Sequence, residues 1–272
     1  MDVINRVITG FFNLLFWPLA PLPPIWALTV VSVFTGAVMV WIFGRVSRQE
    51  QIGGIKDRIR GNLFGVRLYQ HEIGVVMRLQ KQILADTMRY MALSVAPMLV
   101  LLIPMFLIMV QLNLHFASRP LRPGEQAVVR ISVADPTVLN RPMSLKGDES
   151  FVVETPPVRI ASEKEAAWRI RAVRPGHHSL KVQIGDQQVE KALDIGAGWT
   201  AVSPLRTASW IDCLLYPSEP RLSRQAGISA VEVLYRPLPL QVLGWGVDWL
   251  VFFFIISVAA SFALKGVFGV QF

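Results

Sequence analysis

Two uninterrupted apolar blocks limit what this chain can fold into. Pro24 to Gly44 and Tyr90 to Leu114 contain no Asp, Glu, Lys, Arg or His, and each exceeds the roughly 20 residues a helix needs to cross a hydrocarbon core of about 30 Å. A soluble globule spreads its apolar residues at core-burying intervals. A chain that is 53% hydrophobic, with those residues gathered in blocks, reads instead as an integral membrane protein. A third block, Trp249 to Leu264, is long enough when Trp245 and Asp248 sit at one interface and Lys265 at the other, where aromatic and snorkelling anchors belong. Three transmembrane helices are therefore expected, at 23–44, 90–114 and 245–265.

The formal charge of +8 has to be assigned to sides of a membrane before it is read as a nucleic-acid footprint, and no DNA partner is expected. Between the first two blocks the chain carries nine Lys or Arg against four Asp or Glu, a net of +5. The positive-inside rule places that segment in the cytosol. The segment from Ser118 to Val247 holds sixteen basic and thirteen acidic residues, but segments of that length translocate largely regardless of charge. The expected topology is a multi-pass protein of the cell inner (plasma) membrane, its N-terminus and long domain extracytosolic and its basic segment and C-terminus cytosolic.

Cys213 is the only cysteine, so a disulfide within the chain, a Cys-based zinc site and a thiol relay are all excluded. Residues 1–22 begin with Val3, Val7, Phe11, Leu14 and Leu15 on one helical face and Asn5, Thr9 and Asn13 on the other, an amphipathic helix suited to the outer interface. The proline run from Pro18 to Pro24 ends it and stands where a small-residue cleavage site would lie, so a retained N-terminus is expected.

In the cytosolic segment 45–89, apolar residues recur every three or four positions from Ile52 through Ile55, Ile59, Leu63, Val66, Tyr69, Ile73, Val76 and Leu79 to Ile83. That is a coiled-coil-like seam. Because the segment must leave and re-enter the same membrane face, it must turn, and the turn is placed at Leu68 to Glu72. Each arm then has about 22 residues, roughly 33 Å at 1.5 Å per residue. Arg45, Arg48, Lys56, Arg58, Arg60 and Arg67 are its candidate cytosolic contact residues. In the second span Pro97 and Pro104 each remove a backbone hydrogen bond and are expected to kink the helix.

Beyond Arg119-Pro120-Leu121-Arg122-Pro123-Gly124 the apolar period changes to two. Gln126–Val133, Val158–Ala161, Ala167–Val173, Ser179–Ile184 and Val189–Ile195 read as strands, with Ile228–Leu234 as a further one and Thr200–Gln225 irregular. Residues 118–240 are thus expected to form an all-β, immunoglobulin-like sandwich inserted into an α-helical membrane protein.

The order of interfacial helix, break, span, basic hairpin and proline-bearing span resembles the YidC/Oxa insertase superfamily, whose short three-span relatives include members of the ER membrane complex and the Get pathway. The local match is Pro97-Met98-Leu99 followed by Ile103-Pro104-Met105-Phe106, which looks like the helix after the hairpin in YidC. The resemblance covers residues 1–115 and the last span. It implies insertion of client or nascent membrane segments through a polar groove, with the hairpin contacting client, ribosome or another membrane subunit, and it requires no cofactor and no covalent chemistry. Intramembrane polar groups would lower the cost of moving a charged client residue, ~2.5–3.5 kcal/mol at mid-membrane. Thr29, Ser32 and Thr35 share one face of the first span with Gly36, and Ser257 and Ser261 are an i, i+4 pair in the third. These are the candidate groove residues. The bacterial pattern keeps a basic residue inside the first core span, whereas this chain offers Arg45 at its cytosolic end.

Each feature also has a plainer reading. Small polar residues in spans commonly serve helix packing. A basic hairpin can serve as a charged face drawn to anionic headgroups of the bilayer. His177-His178 after Pro-Gly reads as an exposed turn and no metal site is expected. The Ser–Lys neighbours Ser144/Lys146 and Ser162/Lys164 read as chance pairs, because a nucleophile needs its base at hydrogen-bonding distance and a separate oxyanion site, and no enzyme is expected. A non-catalytic scaffold, binding an extracytosolic partner through its β-domain, is the alternative function.

Overall fold

The computed structural model describes residues 2–47, 49–223, 227–242 and 244–270. It combines helices with antiparallel β-sheets and divides into two compact units, one of Met1–Ala27 with Ile108–Trp249, the other of Leu28–Leu107 with Leu250–Phe272.

The first unit opens with α1 (Asp2–Phe16), stopped by a 3-10 turn at Trp17–Leu19 and the prolines that follow, and then takes in the start of α2 (Pro24–Val46). It resumes at the end of α4 (Ile73–Leu112), which passes into a π-helical turn at Asn113–Ala117. Strand β1 (Gln126–Val133) buries Ala127, Val129, Ile131 and Val133 and turns the intervening residues outward, as a period of two dictates. It lies in a sheet ordered β3 (Phe151–Val153), β5 (Glu165–Ala172), β1, β9 (Ile228–Val233), β8 (Leu205–Thr207), with β4 (Val158–Ile160) also on β5. A second sheet runs β2 (Met143–Gly147), β6 (Gly176–Ile184), β7 (Gln187–Ile195). β6 and β7 are joined by Gly185-Asp186, where Gly185 has φ +56°, a value glycine reaches without steric penalty. The two sheets share one apolar core in which Trp168 and Ile170 of β5 join Leu180 and Val182 of β6. A short helix α5 (Trp210–Leu215) follows β8, and a hairpin of β10 (Leu240–Val242) and β11 (Trp245–Val247) closes the unit.

Several of these elements correct the expectation. The segment 200–225, read as irregular, contains β8 and α5, and β2, β3, β10 and β11 were not foreseen. His177 and His178 stand on the first residues of β6 rather than in a turn.

In the second unit α3 (Gln49–Leu68) and α4 form a hairpin turned at Tyr69–Glu72. Its inner face differs from the predicted seam. Ile52 and Ile55 are buried, but Leu63, Tyr69 and Ile73 are exposed. Gly65 takes the inner position, where a Cβ would come within 2.9 Å of Leu79 Cδ1, so one arm approaches the other through a missing side chain rather than a leucine. On the long arm the inner face continues to Asp86, which the apolar pattern could not mark. Helix α6 (Trp249–Leu264) packs in this unit too. Among the described residues, α2 and α4 are long and apolar enough to cross a membrane, and α6 is a shorter apolar helix of 16 residues.

Candidate functional site

The candidate groove residues lie in the second unit and are engaged in helix packing. Ser32, Thr35 and Ser257 are buried, and Thr29 and Ser261 are half-buried. The serine hydroxyls turn to backbone carbonyls: Ser32 Oγ donates to Leu28 O at 2.6 Å, and Ser257 Oγ to Phe254 O at 3.2 Å. Ser261 Oγ sits between Ser257 O at 2.8 Å and Gly36 O at 3.2 Å, bridging α6 to α2. The contact depends on glycine, because a Cβ on Gly36 would fall 2.5 Å from Ser257 O. This is the small-residue mode of helix association. Of the sequence-predicted residues, Ser257 and Ser261 are thus brought against Gly36, in a closed contact.

Beside that contact lies a cleft of about 240 Å³ lined by Met39, Val40 and Phe43 of α2, Leu101 of α4, and Val258, Ser261 and Phe262 of α6. Only Ser261 of these is polar, so the cleft suits an acyl chain or an apolar side chain. Pro97 is buried and Pro104 half-buried on α4, which continues through both. Each lacks the amide that the carbonyl four residues earlier would accept, at Leu93 and Val100.

On the hairpin, Asp86 is only 6% exposed and is held by Arg58 through Nε and Nη2, both at 3.3 Å, with Arg89 Nη1 at 3.5 Å. This carboxylate ties the arms together and engages Arg58, one of the predicted cytosolic contacts. Arg60 is exposed and pairs loosely with Asp57 at 3.8 Å, and Arg67 is exposed near the tip. Three cations lie over aromatic rings: Arg45 over Trp41 at 5.3 Å, Lys56 over Tyr90 at 5.5 Å and Lys265 over Phe262 at 5.5 Å. Such pairs suit a membrane-water boundary, where an aromatic ring and a cation share one level. Arg48 lies outside the described residues.

The first unit carries a constellation that was not singled out. Lys191 of β7 is fully buried, its Nζ donating to Ser203 O at 2.5 Å and to Ser203 Oγ at 3.0 Å and pairing with Glu219 Oε1. The other oxygen of Glu219 accepts from Ala192 N at 3.1 Å, and Arg206 donates to Glu190 O and, at 2.9 Å, to Pro220 O. Burial pushes the Lys191 ammonium down from the usual lysine range, and the Glu219 carboxylate pushes back. A serine and a lysine at 3.0 Å invite a nucleophile-base reading, but the lysine is committed to a carboxylate and sealed from solvent, so the arrangement is a clamp joining residues 203–219 to β7. The signal was present in the sequence: Lys191 shares a strand face with Val189, Leu193 and Ile195.

A second anchor is aromatic. Phe16 of α1 packs on His115 with centroids 4.3 Å apart, and Phe116 stacks on Trp199 at 4.9 Å. Trp199 Nε1 donates to Leu22 O at 2.9 Å, and Gln111 Nε2 to Thr9 Oγ1 at 3.3 Å, fastening α1 to the end of α4. Next to it Glu125 receives a two-pronged bond from Arg119 at 2.8 and 2.9 Å, with Arg236 at 2.9 Å and the Arg122 amide at 2.9 Å. The Arg119 guanidinium above all holds the Glu125 carboxyl down to about 2.

Among the described residues no three His, Cys, Asp or Glu converge as metal ligands. His177 Nδ1 meets Asp194 Oδ1 at 2.6 Å and His178 Nδ1 meets Asp148 Oδ2 at 3.1 Å, two separate pairs along one sheet.

The chain matches no known family model and no curated protein. Among solved structures it is similar to the crystal structure of domains 4 and 5 of the S-layer protein SbsC (15% identity, TM-score 0.23, 30% of this chain and 48% of that one). The structure of rSbsC(31-844) is another (15% identity, TM-score 0.24, 33% of this chain and 13% of that one). The chain thus spans less than half the length of either, and likenesses this slight carry no argument about fold or function.

Proposed function

We propose that this chain is a multi-pass membrane protein of the YidC/Oxa kind that assists insertion or folding of client transmembrane segments. The observation that carries this reading is α4, one 40-residue helix running from the arm of a basic hairpin into an apolar, proline-bearing stretch that borders an apolar cleft. A client's apolar segment reaching that helix from the cytosol would meet one continuous rail into the bilayer. The closed packing at Gly36 and Ser257 moves the expected client contact from Ser32, Thr35 and Ser257 to the cleft at Met39, Leu101 and Phe262. Net charge around the hairpin orients it, and the C-terminus, toward the cytosol of an inner or plasma membrane, with the N-terminus and the β-domain outside. Two antiparallel sheets sharing one core are also what an immunoglobulin-like sandwich requires, and we read residues 118–240 as one. No covalent step is part of this function.

The test is reconstitution. Proteoliposomes bearing the chain should insert a short-tailed client faster than empty liposomes, and photo-crosslinkers at Leu101 or Phe262 should capture it. Equal insertion with and without the protein would overturn the reading. A scaffold function is the second reading, favoured by the tight α2–α6 contact; it expects one stable partner captured through residues 125–240 and none at the cleft.

A further inference from the structure

Helix α5 is built inside out. Trp210, Ile211 and Leu215 are 57%, 52% and 37% exposed, and with Leu214 they fall within one broad arc of the helix. The polar residue on the opposite arc, Asp212, borders a cleft lined by Thr207, Ser209 and Ser229 of its own domain. A surface helix ordinarily buries its apolar side and wets its polar one. Here the polar side faces the domain and the apolar side faces out.

The helix is also held firmly. Ser209 Oγ caps it by accepting from Asp212 N at 3.4 Å, Arg221 Nε donates to Ala208 O at 2.6 Å, and the Leu222 amide bonds Thr207 O at 3.0 Å. Exposure of Trp210 and Ile211 is therefore a fixed presentation rather than a loop passing through solvent.

Its location supplies the occupant. Tyr216, the residue after α5, lines a cavity of about 210 Å³ together with Asn113 and Ala117 at the end of the long apolar helix, and the Val202 amide donates to Leu114 O at 3.0 Å. The segment carrying α5 thus lies against the point where α4 leaves its apolar stretch. We propose that the apolar face of α5 docks on the outer lipid surface, seating Trp210, Ile211 and Leu215 at the headgroup boundary and laying this side of the β-domain on the membrane. The proposal rests on the membrane reading above. A tryptophan with adjacent aliphatic side chains is the chemistry that boundary retains.

The full chain in nanodiscs of phosphatidylcholine and phosphatidylglycerol tests it. In a Cys213→Ser background, Ile211→Cys, Leu215→Cys, Gln188→Cys and Ile255→Cys each receive an environment-sensitive fluorophore. Gln188 is exposed on β7, and Ile255 is exposed on α6. The expected result is blue-shifted emission at 211 and 215, with loss of most intensity when the lipids carry a shallow nitroxide, and water-like, unquenched emission at 188. Emission at 211 and 215 matching that at 188, while 255 is quenched by a deep nitroxide, overturns the docking and leaves the membrane reading standing. A blue shift at 211 without lipid quenching means that protein covers the face and also overturns it. An unquenched probe at 255 refutes the membrane reading itself.

Discussion

Replacing Gly36 by alanine is the sharpest test of the helix contact. The new Cβ would lie 2.5 Å from Ser257 O, 3.1 Å from Ala260 Cβ and 3.2 Å from Ser261 Oγ. Ordinary contact begins near 3.4 Å, so α2 and α6 must part by about 0.9 Å at this point. The obstacle is a backbone carbonyl of a helix, which has no rotamer to move into. Overpacking of this kind costs roughly 1–3 kcal/mol, and stretching the Ser261–Gly36 hydrogen bond forfeits about 0.6 kcal/mol by the average for polar contacts between membrane helices. Against this, alanine is the better helix former by ~1 kcal/mol. The steric terms win, and a net loss of ~0.6–2.6 kcal/mol is expected. Thermal unfolding of the full chain in nanodiscs measures it, with Gly61→Ala as the control, because a Cβ at Gly61 meets nothing within 4 Å and keeps only the propensity gain. If Gly36→Ala proves as stable as Gly61→Ala, the close approach of α2 and α6 is wrong.

Lys191→Met leaves Glu219 buried without its cation and should cost ~3–5 kcal/mol, whereas Lys191→Met with Glu219→Leu should recover much of it; denaturant unfolding of both variants reads the difference. Acid should erode the first unit through Glu125. Its carboxyl is lowered from 4.5 to about 2 on folding, so its contribution is complete above the unfolded value and disappears as pH falls from about 4.5 towards 2. Glu125→Gln should flatten that limb of a stability-pH curve, and an unchanged limb would refute it. Asp86→Ala removes the acceptor shared by Arg58 and Arg89 and should cost ~1–3 kcal/mol, seen as faster amide exchange along the hairpin; unaltered exchange would show that the arms do not depend on this bridge.

How much of this could be read from the residues depended on whether an element carries its own period. β1 alternates over eight residues and its bounds follow from that alternation, as the apolar block at Trp249–Leu264 follows from its composition. β8 is three residues long and α5 six, and both are held by side chains distant in sequence, Arg206 on Glu190 and Arg221 on Ala208, so 200–225 offers no local pattern to read. Leu63 looked like a seam residue because the three-four spacing admits it. The arms meet instead through Gly65, which hydrophobicity cannot mark. The small polar residues of α2 and α6 were visible as a face, but whether such a face opens or closes is decided by a distance between helices. Lys191 stood in plain view on an apolar strand face, and its meaning came only with Glu219, 28 positions away.

The clamp around Lys191 has a consequence for assembly. β7 is the last strand of its sheet, and a terminal strand is a template on which another extended chain can add. Here Arg206 takes the outward carbonyl of Glu190, Glu219 takes the amide of Ala192, and the hydroxyl oxygen of Tyr235 takes the amide of Asp194 at 3.0 Å. Arg206 and Glu219 lie on either side of α5 in sequence. A lesion in the clamp would therefore do two things at once: uncover a growth edge for polymerisation, and loosen the ends of the segment that presents Trp210 and Ile211.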